Sequence, residues 1–215
     1  MKFFLNYFLI GLIGLSLVIT SCGEDDEVPP EEDELEVITD VTLIFTNNAD
    51  PADVVRASAK DSDGAGITEE LEVLDEITLS GDATYTLTLE IMNAVDPTDV
   101  EDIVEEIEEE DDEHQFFFGF TSDAFSDPTG DGNIDALAAN AVNYEDEDSD
   151  AQDGSGNPVG LETTWTTGTA ISDGTFRIIL MHQPPLADGT PVKTATSDIN
   201  VGDTDIDLTF VLNIE

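Results

Sequence analysis

Two stretches of the chain alternate apolar and polar residues with a period of two, the pattern of a strand with one face in a core and the other in water. In TYTLTLEIM, Tyr85, Leu87, Leu89 and Ile91 share one face, and Thr84, Thr86, Thr88 and Glu90 the other. In DIDLTFVLNI the apolar face carries Ile206, Leu208, Phe210, Leu212 and Ile214. Further strands are predicted over residues 41–46, 54–59, 71–79, 114–121, 159–167 and 175–182. Turn-rich pieces separate them, among them Asp63-Gly64, Ser80-Gly81-Asp82 and Asp173-Gly174. Trp165 shares parity with Leu161 and is placed in the core, and Pro184-Pro185 end the strand that closes on His182.

One segment keeps helical spacing instead. Val100, Ile103, Val104 and Ile107 follow Asp96-Pro97, an N-cap and a first helical residue. The acids from Glu105 to Glu113 oppose the macrodipole at a helix C-terminus, so the helix is predicted to end near Ile107. An extended strand running into HQFFF is the alternative. The absence of strand and helix alternation excludes a doubly wound sheet. Roughly eight to ten short strands with one short helix predict a mainly β fold, an antiparallel β-sandwich of Ig-like or related type, with a calycin-like barrel as the alternative.

The start of the chain belongs to a different pattern. Lys2 precedes an apolar run from Phe3 to Ile19, the n-region and h-region of a secretory leader. The flank Glu24-Asp25-Asp26-Glu27 is acidic, which argues against a spanning helix with a basic stop-transfer end. Ile19-Thr20-Ser21-Cys22 resembles the bacterial lipobox. The resemblance implies that residues 1–21 are a discarded signal peptide. The Cys22 sulfur then carries diacylglycerol, and its new amino terminus an acyl chain such as palmitate. Two or more chains hold a protein stably on its membrane. A plain signal peptide cleaved near Ser21, leaving Cys22 a free thiol, is the alternative. With a single cysteine no intramolecular disulfide forms. Gly23 to Glu27 resembles the acidic signal that sends lipoproteins of some Gram-negative groups to the cell surface. That implies outer-membrane surface exposure, with the periplasmic face as the alternative. Residues 22–36, acidic around Pro29-Pro30, read as an extended tether, and residues 37–215 as a single β-rich domain.

Charge narrows the partners. The chain has 51 Asp and Glu against 5 Lys and Arg, a net charge of -46. Past the leader the cations are Arg56, Lys60, Arg177 and Lys193. Such a field repels nucleic acid and anionic headgroups and attracts cations. It also suits a saline habitat, where salt screens self-repulsion. A hydrophobic fraction of 40% argues against disorder despite the charge.

Three constellations bear on chemistry. DPTGDGNID resembles the start of an EF-hand or dockerin calcium loop, with Asp127, Thr129, Asp131 and Asp135 at ligand positions and Gly132 at the turn, but Ala138 where a bidentate acid belongs. A second partial match runs Asp61, Asp63, Gly66, Glu72, with Ala65 at a ligand position, and Asp146, Asp148 and Asp150 alternate in EDEDSDAQD. Ordinary solvated loops are the alternative for all of them. His114 shares a face with Phe116, Phe118 and Phe120, and His182 with Phe176, Ile178 and Leu180. His114 opens its strand and His182 closes its own, so on antiparallel neighbours both imidazoles reach the same sheet end, where they could hold haem iron or a transition metal. Two separate, hydrogen-bonded edge histidines are the alternative. The third, catalysis, finds no motif: no nucleophile elbow, phosphate loop or cysteine nucleophile is present, so a non-enzymatic protein is expected.

As a whole the chain resembles small acidic lipoproteins found beside TonB-dependent outer-membrane receptors, through ITSCGEDDE, YTLTLEIMN, EHQFFF, GNPVGLETTW and ILMHQP. Relatives of this kind are sometimes labelled type 1 periplasmic binding domain proteins, but this chain is too short for two lobes and lacks βα alternation. The resemblance implies a ligand-capture or accessory partner of an outer-membrane transporter. A two-histidine haem or metal scavenger and a calcium-stabilised adhesive or structural surface module are the alternatives.

Overall fold

The computed structural model describes residues 37–61, 71–134, 142–149, 156–194 and 196–215. The expected leader and tether, with Cys22, lie outside them, as do Asp63, Asp135 and Asp150. Among the described residues, no helix is long and apolar enough to cross a membrane.

The fold is mainly β, with antiparallel sheets and one short helix. The strands in chain order are β1 (Asp40–Asn47), β2 (Val54–Lys60), β3 (Glu72–Val73), β4 (Ile77–Leu79), β5 (Thr84–Asn93) and β6 (Glu101–Asp102), then helix α1 (Ile103–Glu109), then β7 (His114–Phe120), β8 (Phe125–Asp127), β9 (Glu162–Thr167), β10 (Ile171–His182) and β11 (Asp203–Ile214). One sheet runs β3-β2-β1-β5-β9-β8, with β6 also on β5; the other runs β4-β11-β10-β7. Every pairing is antiparallel except β4 with β11. Among the described residues the ladders form two sheets facing one core, the sandwich arrangement rather than one closed barrel.

The alternating stretches do what their pattern demands. Tyr85, Leu87, Leu89 and Ile91 of β5 and the five apolar residues of β11 are buried. Trp165 on β9 is fully buried, with ring centroids 4.9 Å from Phe125, 5.1 Å from Phe176, and 5.4 Å from both Phe118 and Phe120. Its indole nitrogen donates to Thr163 Oγ1 at 2.7 Å, so the one polar atom it brings into the core is satisfied. Odd positions of β7 and β10 form a smaller apolar cluster on the outer face, where Phe117, Ile179 and Met181 meet Ile134.

Two local expectations fail for identifiable reasons. The single strand over 71–79 is two, in different sheets: β3 pairs with β2 and β4 with β11. The residues between them are exposed, and Asp75 accepts from the Ser58 backbone N–H (3.1 Å) and hydroxyl, tying the crossover to β2. The helix starts at Ile103, not Pro97. Asp96 spends its carboxylate on a turn, accepting from Thr98 N at 2.9 Å and Thr98 Oγ1 at 2.7 Å, and Asp102 caps the helix instead, accepting from Val104 N at 3.1 Å. α1 buries Ile103 and Ile107 and ends at Glu109, inside the acidic run and close to the predicted end near Ile107.

The loop after β8 covers the outer edge of β7. Phe120 N donates to Asp131 O (2.9 Å), Asn133 N to Phe118 O (2.8 Å), and Phe118 N to Asn133 Oδ1 (2.8 Å). Gly132 makes this approach possible: at φ +98°, a Cβ there would lie 2.0 Å from Phe118 O.

Candidate functional site

The turn between α1 and β7 gathers acids at one end of the second sheet. Past Glu109 the chain turns through the Glu110 carbonyl, which accepts from Glu113 N (2.9 Å) and His114 N (3.2 Å). This turn delivers His114 to the first position of β7. There it pairs in register with His182, the last residue of β10. The two rings stack with centroids 4.7 Å apart and planes at 7°. His114 is fully buried and His182 is 5% exposed, so the pair is part of the sheet's packed end. The parity argument on the sequence thus placed both imidazoles at one sheet end, and the strand register puts them in contact.

Carboxylates surround the pair. His114 Nδ1 lies 3.3 Å from the Glu110 carbonyl and 4.0 Å from its carboxylate. His182 Nε2 lies 3.2 Å from Glu113 Oε2. A carboxylate accepts from an N–H, so a neutral ring bonded in this way carries its proton on Nε2 and its lone pair on Nδ1. Glu110, His114 and His182 each offer a ligand atom within 4.8 Å of the others. Among the described residues this is the one group of three His, Cys, Asp or Glu with metal-sized spacing. Imidazole and carboxylate together suit first-row divalent ions such as zinc and copper. They do not suit haem, because rings stacked 4.7 Å apart cannot ligate one iron from its two opposite faces.

The backbone that presents His182 is pinned. Gln183 is fully buried; its N–H donates to Glu113 O at 2.7 Å and its Nε2 to Val201 O at 2.9 Å. Gly202, at φ +88°, lets the returning chain touch the His182 carbonyl, where a Cβ would fall 2.1 Å away.

Beside this pair lies a feature that sequence reasoning missed. Lys193, 2% exposed, donates to the Asp111 carbonyl and sits 3.9 Å from Asp148 Oδ2. Burial lowers its pKa to about 8, against the pull of Asp148 and Asp111. The Asp111 carboxylate accepts from Ser149 N (2.6 Å) and Oγ (2.7 Å), and Asp148 accepts from Asn157 N at 2.8 Å. Asp146 accepts from the N–H groups of Gly160, Leu161 and Glu162, yet burial outweighs them and raises its pKa. Burial also pushes the Tyr144 hydroxyl well above its ordinary value; it donates to Phe116 O at 2.6 Å. Asp146 therefore meets backbone amides, and Asp148 a lysine and a backbone amide. The signal in the sequence was the scarcity of cations, which makes any single lysine informative.

The calcium expectations separate. Asp127 is exposed and its Oδ1 accepts from Asn143 Nδ2 at 3.0 Å, while the backbone of 131–133 is spent along β7. Thr129 and Asp131 are exposed. The described part of the loop thus runs as a sheet edge and does not wrap a point. Asp61 is buried at the end of β2, and Glu72 is exposed on β3, opposite Lys60.

Fold and site together define a two-sheet β protein with a buried, carboxylate-flanked histidine pair at one sheet end. No protein-family model, curated protein or solved structure matches this chain.

Proposed function

We propose that the chain is a non-enzymatic, lipid-anchored outer-membrane surface protein that captures a divalent transition metal at His114, His182 and Glu110, for delivery to an outer-membrane transporter. The observation that carries the reading is the in-register, stacked pair His114 and His182 with Glu110 at ligand spacing. An imidazole ligates a metal through the lone pair of an unprotonated ring nitrogen, so a protonated ring must first release its proton. Glu113 supports the site by orienting His182, the usual partner of a metal-ligating imidazole. The acidic surface raises the local concentration of cations and speeds their arrival. The lipobox and acidic tether support the location.

The test is a thermal-shift and calorimetric titration of the full-length protein with zinc and copper. Specific binding raises the melting temperature, and His114→Ala and His182→Ala each abolish the shift while Glu110→Gln weakens it. Equal shifts in wild type and both histidine variants would defeat the proposal, because they would assign binding to the general acidic surface.

A further inference from the structure

The two imidazoles of the proposed metal centre have almost no contact with water: His114 is fully buried and His182 is 5% exposed. An ion bound there needs an entry path, so the sheet end has to open. The return from β10 to β11 crosses this end. It leaves at His182 and comes back at Gly202, where a Cβ would fall 2.1 Å from the His182 carbonyl oxygen. Midway, Lys193 reaches out of the return to donate to the Asp111 carbonyl, with Asp148 Oδ2 3.9 Å away. Asp111 directly follows Glu110, the third proposed ligand. The return thus has its roots at one ligand and its tie beside another. From this we infer that residues 184–197 form a strap that gates the metal centre, with Lys193 as its latch; the inference rests on the metal reading above.

Three observations carry this. The latch is single. Among the described residues of the strap, the Lys193 bond is the one hydrogen bond that leaves it. The others close the strap on itself, as with Leu186 N to Thr190 O at 2.9 Å and Ser197 Oγ to Val192 O at 3.1 Å. Next, residues 185–191 are all exposed, and Lys193 and Ser197 are the only buried residues described in the strap. A segment with few buried groups and one tie opens locally at a small fraction of the free energy of global unfolding. Finally, its root is fixed independently of the latch. Gln183 is fully buried; its N–H donates to Glu113 O at 2.7 Å, and its Nε2 to Asp198 O at 3.3 Å and Val201 O at 2.9 Å. Opening therefore breaks one charge-assisted hydrogen bond and leaves the register of His114 with His182 untouched.

The test separates the gate from the site. Copper release from the loaded full-length protein into excess EDTA, and uptake of free copper(II), are followed by stopped-flow absorbance, and calorimetry gives Kd. Lys193→Met should speed release and uptake together, each about tenfold, the size of one charge-assisted hydrogen bond, and leave Kd within about twofold. Asp148→Asn, which removes the latch's ion partner, should raise both rates by a smaller factor. The two variants remove opposite charges, so a purely electrostatic effect would move Kd in opposite directions. Hydrogen exchange should quicken over 184–197 and stay slow in β7 and β10, which shows that a variant is folded; if Lys193→Met exchanges throughout, Asp148→Asn decides. Unchanged rates in the folded variants, or opposite shifts of Kd with no common rise in the rates, would overturn the strap and leave the metal reading standing. Copper binding that does not depend on the histidines would overturn both.

Discussion

Lys193 offers a measurement whose sign follows from its burial. In the folded protein its pKa is about 8, against roughly 10.4 for a lysine in an unfolded chain. Between those values the unfolded chain holds the proton that the folded protein has released. Stability therefore rises with pH across that window, at up to about 1.4 kcal/mol per pH unit. Below pH 8 both states are protonated, and the full cost of burying the charge is present and constant. The whole rise has a ceiling of about 3 kcal/mol, which access of solvent to the ammonium lowers. Tyr144 acts oppositely at the top of the range: its raised pKa means the unfolded chain ionises first, so stability falls above roughly pH 10. Comparison with Lys193→Met removes that common term. Urea unfolding of both proteins at steps from pH 7 to pH 10, followed by tryptophan fluorescence of Trp165, gives the two curves. The wild-type curve should climb relative to Lys193→Met above pH 8, and Lys193→Arg, which does not titrate there, should follow the methionine variant's slope. Parallel curves for wild type and Lys193→Met would refute the placement of Lys193 as a buried, acid-held ammonium.

Other consequences are more direct. Trp165→Ala empties the centre of the aromatic cluster and should cost about 3 to 5 kcal/mol in denaturant unfolding. Gly202→Ala puts a side chain against the His182 carbonyl at positive φ and should destabilise by roughly 1 to 3 kcal/mol while weakening metal binding, both read in one thermal-shift series. Cys22→Ser should abolish fatty-acid labelling and release the protein from the membrane fraction; unchanged labelling would remove the lipid anchor from the account.

The parts of the fold that were legible in the sequence share one property, a long face on one periodicity. In β5 and β11 every second residue is apolar over many positions, so only one pleat buries them all. The histidine pair was legible only in part, since parity and strand ends put both rings at one sheet end on the condition that β7 and β10 are antiparallel neighbours, and that adjacency is tertiary. Their contact depends on register, which no single strand encodes. Residues 71–79 alternate plausibly on both sides of an exposed crossover, with β3 at Glu72–Val73 and β4 at Ile77–Leu79, and the choice of sheet is made by β2 and β11, remote in sequence. Asp96 and Asp102 are equally good caps on paper. Which one caps is decided by Glu101-Asp102 pairing with β5 and by burial of Ile103 and Ile107, both tertiary. Lys193 was invisible for a related reason: its surroundings come from remote parts of the chain, Asp111 in the turn after α1 and Asp148, itself held by Asn157.

The central claim is that two imidazoles act on one ion, and the count of nitrogens tests it most directly. Pulsed electron paramagnetic resonance of the copper-loaded full-length protein should show two imidazole nitrogens coupled to one copper, falling to one in His182→Ala. A spectrum of oxygen ligands alone, or a nitrogen count that the His182 substitution leaves unchanged, would contradict it.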